Sequence, residues 1–200
     1  MKIEKSITRL LLLSASSPYI CVNTRITNPP TSIIAFGGTQ NIYDLVRDDL
    51  NLKPYLKPYF WPKYNDENRG GFVHGGFALR TERLLEKMNY FIETNDNFIL
   101  GGHSLGGSCA ILAASHLTDI NKSIQGIYTF GVPKLASPKF QEYYKEQGLW
   151  NKTYNFITPR DPIVKRIPYV YKDIGIFKTL DFEHDDVWEH HDLKTYCDLL

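Results

Sequence analysis

Short unbroken apolar runs alternate along this chain with longer stretches in which apolar positions recur every three or four residues. The first clear run is Ser32-Ile33-Ile34-Ala35-Phe36, closed by Gly37-Gly38. A short apolar run bounded by glycine reads as a buried strand, here 31–36. Further runs predict strands over 97–101, 126–131, 154–158 and 174–180. Between 77 and 93 the pattern changes to Phe77, Leu84, Leu85, Met88, Phe91 and Ile92, which is helical spacing with one buried face. Helices are also expected over 41–50, 105–117, 138–147 and 190–199, and the 1–17 stretch reads as an amphipathic helix belonging to the fold. Strands alternating with helices of ten or more residues predict an α/β protein with a mostly parallel sheet covered on both faces. In such sheets ligands bind beyond the carboxyl ends of the strands. Three segments there are Gly37-Gly38-Thr39, Gly102-His103-Ser104 and Pro159-Arg160-Asp161, so residues distant in sequence are expected to meet on one rim.

Composition narrows the picture. A length of 200 residues fits a single domain, 1–200. Lys and Arg number 23 against 22 Asp and Glu, and no basic cluster stands out, so no nucleic-acid partner is expected. Cys21, Cys109 and Cys197 are widely spaced and form no metal-ligand pattern, so no metal is expected. The odd cysteine count favours a reducing, intracellular compartment. Sequons at Asn121 and Asn151 leave secretion as the alternative. The leucine run 10–13 lies between Arg9 and Ser14, shorter than the roughly 7–15 apolar residues of a secretory signal. No apolar stretch is long enough to span a membrane. Region 40–71 has few regular signals after its short helix, and it carries Pro54, Pro58 and Pro62 among Tyr55, Tyr59, Phe60, Trp61 and Tyr64. Long irregular segments of this kind serve as lids or binding loops, and Tyr55, Tyr59, Phe60 and Trp61 would flank a ligand site or pack on the body.

The chemistry centres on Gly102-His103-Ser104-Leu105-Gly106, which follows an expected strand and opens an expected helix. A serine in that context sits on a tight strand-to-helix turn, its hydroxyl exposed and the following backbone N–H, that of Leu105, aimed at a developing oxyanion. Gly102 and Gly106 would let two backbone segments pass where a Cβ would clash. A serine hydroxyl needs an adjacent base, and the base an orienting carboxylate. In this architecture they follow in the order Ser, Asp or Glu, His. Downstream histidines are His116, His184, His190 and His191; His116 falls on the helix after the turn, away from the strand ends. Intervening aspartates include Asp119, Asp161, Asp173 and Asp181, of which Asp161 directly follows an expected strand.

Six motifs in order resemble the class 3 (fungal-type) lipases. Ile34 to Thr39, with Tyr43-Asp44-Leu45 and Asp48-Asp49-Leu50, resembles the family's Phe-Arg-Gly-Thr oxyanion segment and the Asp-Leu after it. Val73-His74-Gly75-Gly76-Phe77 resembles its Val-His-x-Gly-Phe, and Gly102 to Gly107 its Gly-His-Ser-Leu-Gly-Gly. Tyr128 to Lys134 resembles Thr-Phe-Gly-x-Pro-Arg; Asp161 to Val164 with Ile167-Pro168 resembles Asp-x-Val-Pro-x-Leu-Pro; His191 to Tyr196 resembles the terminal His followed by Tyr. Gly37 and Lys134 stand where the family carries arginine. The resemblance implies an α/β-hydrolase fold, with Ser104 as nucleophile, Asp161 as orienting acid and His191 as base. It implies Thr39 and the Leu105 N–H as oxyanion donors. His190 is held in reserve for His191, because adjacent histidines cannot be separated by pattern. The implied activity is hydrolysis of lipid carboxylic esters through an acyl-enzyme, with a lipid ester as substrate, transient contact with a lipid surface, and no metal or cofactor. A soluble short-chain esterase or thioesterase is the nearest alternative, and a catalytically silent lipase-like binding scaffold is the other.

Overall fold

The computed structural model describes residues 2–13, 17–24, 30–38, 59–61, 71–166 and 171–200. Among these residues six strands form one sheet: β1 (Tyr19–Thr24), β2 (Thr31–Phe36), β5 (Asn97–His103), β6 (Ser123–Phe130), β7 (Thr153–Ile157) and β8 (Ile176–Thr179). They lie side by side in that order; β1 is antiparallel to β2 and every other neighbouring pair is parallel. The short strands β3 (Tyr59–Phe60) and β4 (Phe72–Val73) pair separately as an antiparallel ribbon.

Period-two alternation sorts the sheet's side chains to its two faces. Ile34, Phe36, Phe98 and Leu100 enter the larger core, under helices α2 (Gly75–Lys87), α3 (Asn89–Glu93), α4 (Leu105–Asp119) and α5 (Pro138–Glu146). Ala35, Ile99, Phe130 and Phe156 face the other way, onto α1 (Lys2–Leu13) and α7 (Leu193–Leu199). Ile7 and Leu11 of α1 are fully buried there, each contributing roughly 1.5–3 kcal/mol. The approach is close: a Cβ on Gly101 would lie 2.3 Å from Cγ2 of Ile7. Helix α4 is buried almost all round, as its run of Gly, Ser, Cys and Ala allows. Among the described residues no helix is long and apolar enough to cross a membrane, and the three cysteines are unpaired with one another.

Four local features depart from the pattern-based expectations. Strand β1 adds an antiparallel edge that the apolar pattern did not single out; its Tyr19 to Val22 are only half-buried, as an edge permits. The expected helix over 77–93 breaks at Met88 (φ −97°, ψ 6°), whose N–H is shared between the carbonyls of Leu84 and Leu85. That sharing tightens the last turn toward 3₁₀ geometry, while the buried face continues through Met88 to Ile92. The expected terminal helix over 190–199 is instead a 3₁₀ turn, Glu189–His191, an extended Asp192 (φ −68°, ψ 134°), and then α7. Finally, a short helix α6 (Pro162–Arg166) follows Asp161. The expected helix over 41–50, and most of region 40–71 including Tyr55, Tyr64 and the prolines, lie outside the described residues.

Candidate active site

Ser104 sits between the end of β5 and the start of α4 with φ 54° and ψ −124°. Glycine takes a φ of about +60° with ψ about −120° at the first central position of a type II′ turn. For serine the same backbone costs about 1–3 kcal/mol and has to be imposed by its surroundings. The surroundings are two near-touching backbones. A Cβ on Gly102 would lie 2.1 Å from the Gly106 carbonyl oxygen, and one on Gly106 would lie 2.2 Å from that of Phe36. The Ser104 N–H donates to the carbonyl of Phe130 at 2.9 Å, tying the turn to the end of β6. Leu105 is the first residue of α4, so its N–H has no partner within the helix. Thr39 lies outside the described residues. Gly37 precedes it, with its N–H bonded to the carbonyl of Pro18 at 2.9 Å, and a Cβ there would meet the Ser17 carbonyl oxygen at 2.7 Å. The segment before β1 therefore occupies the space a side chain at position 37 would need.

Asp161 and His191 are both fully buried. The Nδ1–H of His191 donates to the Asp161 carboxylate, at 2.8 Å from Oδ2 and 2.9 Å from Oδ1. Oδ1 also accepts from the backbone N–H groups of Ile163 (2.8 Å) and Val164 (3.4 Å), so the carboxylate caps α6, with Pro162 at the helix's first position. Oδ2 accepts from the Tyr196 hydroxyl at 2.7 Å, and that hydroxyl accepts from the N–H of Thr158 at 3.3 Å. Burial first, and then the Asp161 charge, push the Tyr196 phenol well above its ordinary range, so it stays a donor.

His190 is also fully buried but turns elsewhere. Its Nε2 meets the carbonyl of His184 at 3.1 Å, and its ring stands edge-on to Phe182 at 4.9 Å. Neighbours on a 3₁₀ turn point about 120° apart, so the two histidines cannot face the same carboxylate. His116 packs far down α4 against Trp61, with ring centroids 6.4 Å apart. A cavity of about 650 Å³ lined by Trp61, Leu79, Leu85, His116 and Ile120 lies at that end of the helix. Twelve residues of helix put it about 18 Å from the serine turn.

After these bonds are counted, Ser104 Oγ and His191 Nε2 are buried polar atoms with no hydrogen-bond partner among the described residues. They belong to segments already in contact. Phe130 accepts from Ser104, and the next residue, Gly131, lies against the Asp–His pair: at φ 56°, a Cβ there would fall 2.7 Å from Asp161 Oδ2 and 2.8 Å from His191 Nδ1. Sequence reading gave Gly131 and Tyr196 no role beyond their motifs. Gly131→Ala is expected to lower kcat by about 10²-fold, the scale of a 1 Å misplacement of reacting groups. Gly148→Ala is the control, because it has the same left-handed backbone (φ 71°) with nothing within 4 Å of the new Cβ. It should lose stability and keep its activity, as measured by thermal unfolding and turnover.

Among the described residues no group of three or more His, Cys, Asp or Glu side chains is placed to hold a metal ion.

A strained serine at a strand-to-helix turn, with a buried Asp–His pair on the same rim of a mostly parallel sheet, is an arrangement of the α/β-hydrolase fold. Comparison with known proteins agrees with that class. The sequence profile of the family described as Lipase (class 3) matches residues 33–171, and this chain belongs to that family. Triacylglycerol lipase OBL1 of Arabidopsis thaliana is 34% identical over 120 residues, covering 50% of this chain and 21% of the plant protein. Secreted mono- and diacylglycerol lipase 1 of Fusarium solani is 26% identical over 157 residues, covering 73% of this chain and 46% of its own length. The chain thus spans between about a fifth and a half of these two relatives. The crystal structure of a lipase from Rhizopus microsporus var. chinensis shares the fold, with a TM-score of 0.65 at 17% identity over 91% of this chain and 75% of the other.

Proposed function

We propose that this chain hydrolyses carboxylic esters of lipids through an acyl-enzyme on Ser104, with His191 as general base and Asp161 as its orienting acid. The observation that carries this reading is the buried Asp161–His191 pair, which leaves the Nε2 of that ring unpaired among the described residues. A buried imidazole held by a carboxylate through Nδ1–H presents a basic Nε2. His191 takes the Ser104 proton as Oγ attacks the ester carbonyl. The tetrahedral oxyanion is received by the Leu105 N–H, with Thr39 as the second donor. Collapse expels the alcohol, which takes the proton back from His191. Water then repeats the sequence on the acyl-enzyme and releases the fatty acid. A free Ser–His bond in the resting protein is not required, since catalytic hydrogen bonds often close only when substrate binds.

The family and the glycerolipid lipases among its relatives support a lipid ester as the substrate. We read residues 1–200 as one domain, with 40–71 as the cover of the acyl site and transient contact with a lipid surface during turnover. Hydrolysis of p-nitrophenyl esters from acetate to palmitate tests the reading. Turnover should rise with chain length and depend on Ser104. Activity confined to acetate and butyrate would make the protein a short-chain esterase, and no Ser104-dependent turnover at any length would leave a binding scaffold.

A further inference from the structure

We propose that His103 is a positioning residue, whose Nε2–H holds the backbone carbonyl of His191 and so fixes the base relative to the adjoining nucleophile. This rests on the reading of His191 as the base.

His103 ends β5 and is bonded covalently to Ser104. Its Nε2 lies 2.7 Å from the carbonyl oxygen of His191. A carbonyl can only accept, so the imidazole carries its proton on Nε2 and leaves Nδ1 bare. His191 closes a 3₁₀ turn and is followed by the extended Asp192, so its carbonyl falls at a junction between regular elements. Its own N–H is tied to the carbonyl of Trp188 at 2.9 Å. With the carboxylate on Nδ1 and His103 on the carbonyl, the residue is held at three points. The His103 ring also covers a face of the base, at 4.7 Å and 38° from the His191 ring, and leans on Tyr196 at 5.9 Å. One side chain therefore touches the base and the tyrosine that steadies its carboxylate, and it is joined to the nucleophile by a peptide bond.

The same surroundings keep His103 uncharged. Burial, with His191 adding in the same direction, pulls its pKa down to about 3. Nearby charged and titratable groups are Asp161, His191 and Tyr196, of which only Asp161 favours a second cation. His103 thus remains a neutral donor while its neighbour gains and loses a proton, and no second positive charge opposes the imidazolium.

The test compares His103→Gln, His103→Asn and His103→Phe with wild type on one p-nitrophenyl ester. The glutamine amide nitrogen reaches about where Nε2 lies, the asparagine amide falls short, and phenylalanine keeps a ring without the donor. The asparagine and phenylalanine variants should lose about 10- to 100-fold in kcat with KM within about threefold, and glutamine should restore kcat to within about threefold of wild type. The acid limb of kcat/KM in wild type should follow a single proton. Wild-type kcat in the phenylalanine and asparagine variants, a glutamine variant as slow as phenylalanine, or a two-proton acid limb would each overturn the proposal. If the phenylalanine variant fails to fold, the Gln/Asn pair decides by itself. His191→Ala separates the two readings. Wild-type kcat in that variant overturns His191 as the base. An inactive His191→Ala beside a fully active His103→Phe overturns only the positioning role.

Discussion

Ser104→Ala is expected to lower kcat for ester hydrolysis by about 10⁴- to 10⁶-fold while leaving the fold intact, a loss of the size seen when a triad serine is removed. The residue's two properties, its hydroxyl and its strained backbone, can be separated. Alanine removes the hydroxyl but keeps a Cβ at φ 54° and ψ −124°, so the strain remains. Ser104→Gly removes both. Strain of this kind costs about 1–3 kcal/mol, and the extra unfolded-state freedom of glycine returns about 0.4–1 kcal/mol of that gain. The glycine variant should therefore be more stable than the alanine variant by about 1 kcal/mol, or about 2–4 °C in Tm for a chain of this length. Both should be equally inactive. A glycine variant less stable than the alanine variant by scanning calorimetry would show that the turn is not under strain, because the unfolded-state cost of glycine would then stand alone. Substantial turnover in either variant would remove Ser104 from the mechanism.

The strands that carry the site were legible because their signals are local. β2, β5, β6 and β7 are apolar runs closed by Gly37, Gly101-Gly102, Gly131 and Pro159, and each lies within three residues of its expected bounds. The serine turn was legible for the same reason: its glycines are dictated by contacts between the turn and its immediate neighbours. What escaped depends on separate segments meeting. Strand β1 is specified mainly by its register against β2, and half-exposed edge residues give it a weak apolar signature. The break at Met88 leaves the buried face unbroken, so periodicity cannot register it. His190 and His191 could not be separated because their directions follow from the 3₁₀ turn and from Asp192, not from the helix their spacing suggested. Tyr196 could be quoted as part of a motif, but its bond to Asp161 exists only because α7 brings it under the end of β7.

The second large effect is expected for Asp161→Asn, where kcat should fall about 10⁴-fold through the wrong imidazole tautomer. The hydrogen bonds around the carboxylate decide which way the new amide turns. Oδ1 accepts from the Ile163 and Val164 N–H groups, so the amide oxygen must stay there and the NH₂ takes the place of Oδ2. That NH₂ then faces the Tyr196 hydroxyl and His191 Nδ1. The hydroxyl can reverse and accept. The imidazole can accept only by moving its proton from Nδ1 to Nε2, which places a hydrogen on the atom that must take the serine proton. Geometry is preserved and basicity is lost. Stability should change far less than activity, because each buried group can still find a partner. The measurement is kcat with the preferred ester together with Tm, with Asp161→Ala as the contrast. Alanine leaves the Tyr196 hydroxyl, the His191 Nδ1–H and two backbone N–H groups facing a void, so it should lower Tm as well as kcat. An asparagine variant that turns over within tenfold of wild type would mean that another group orients His191.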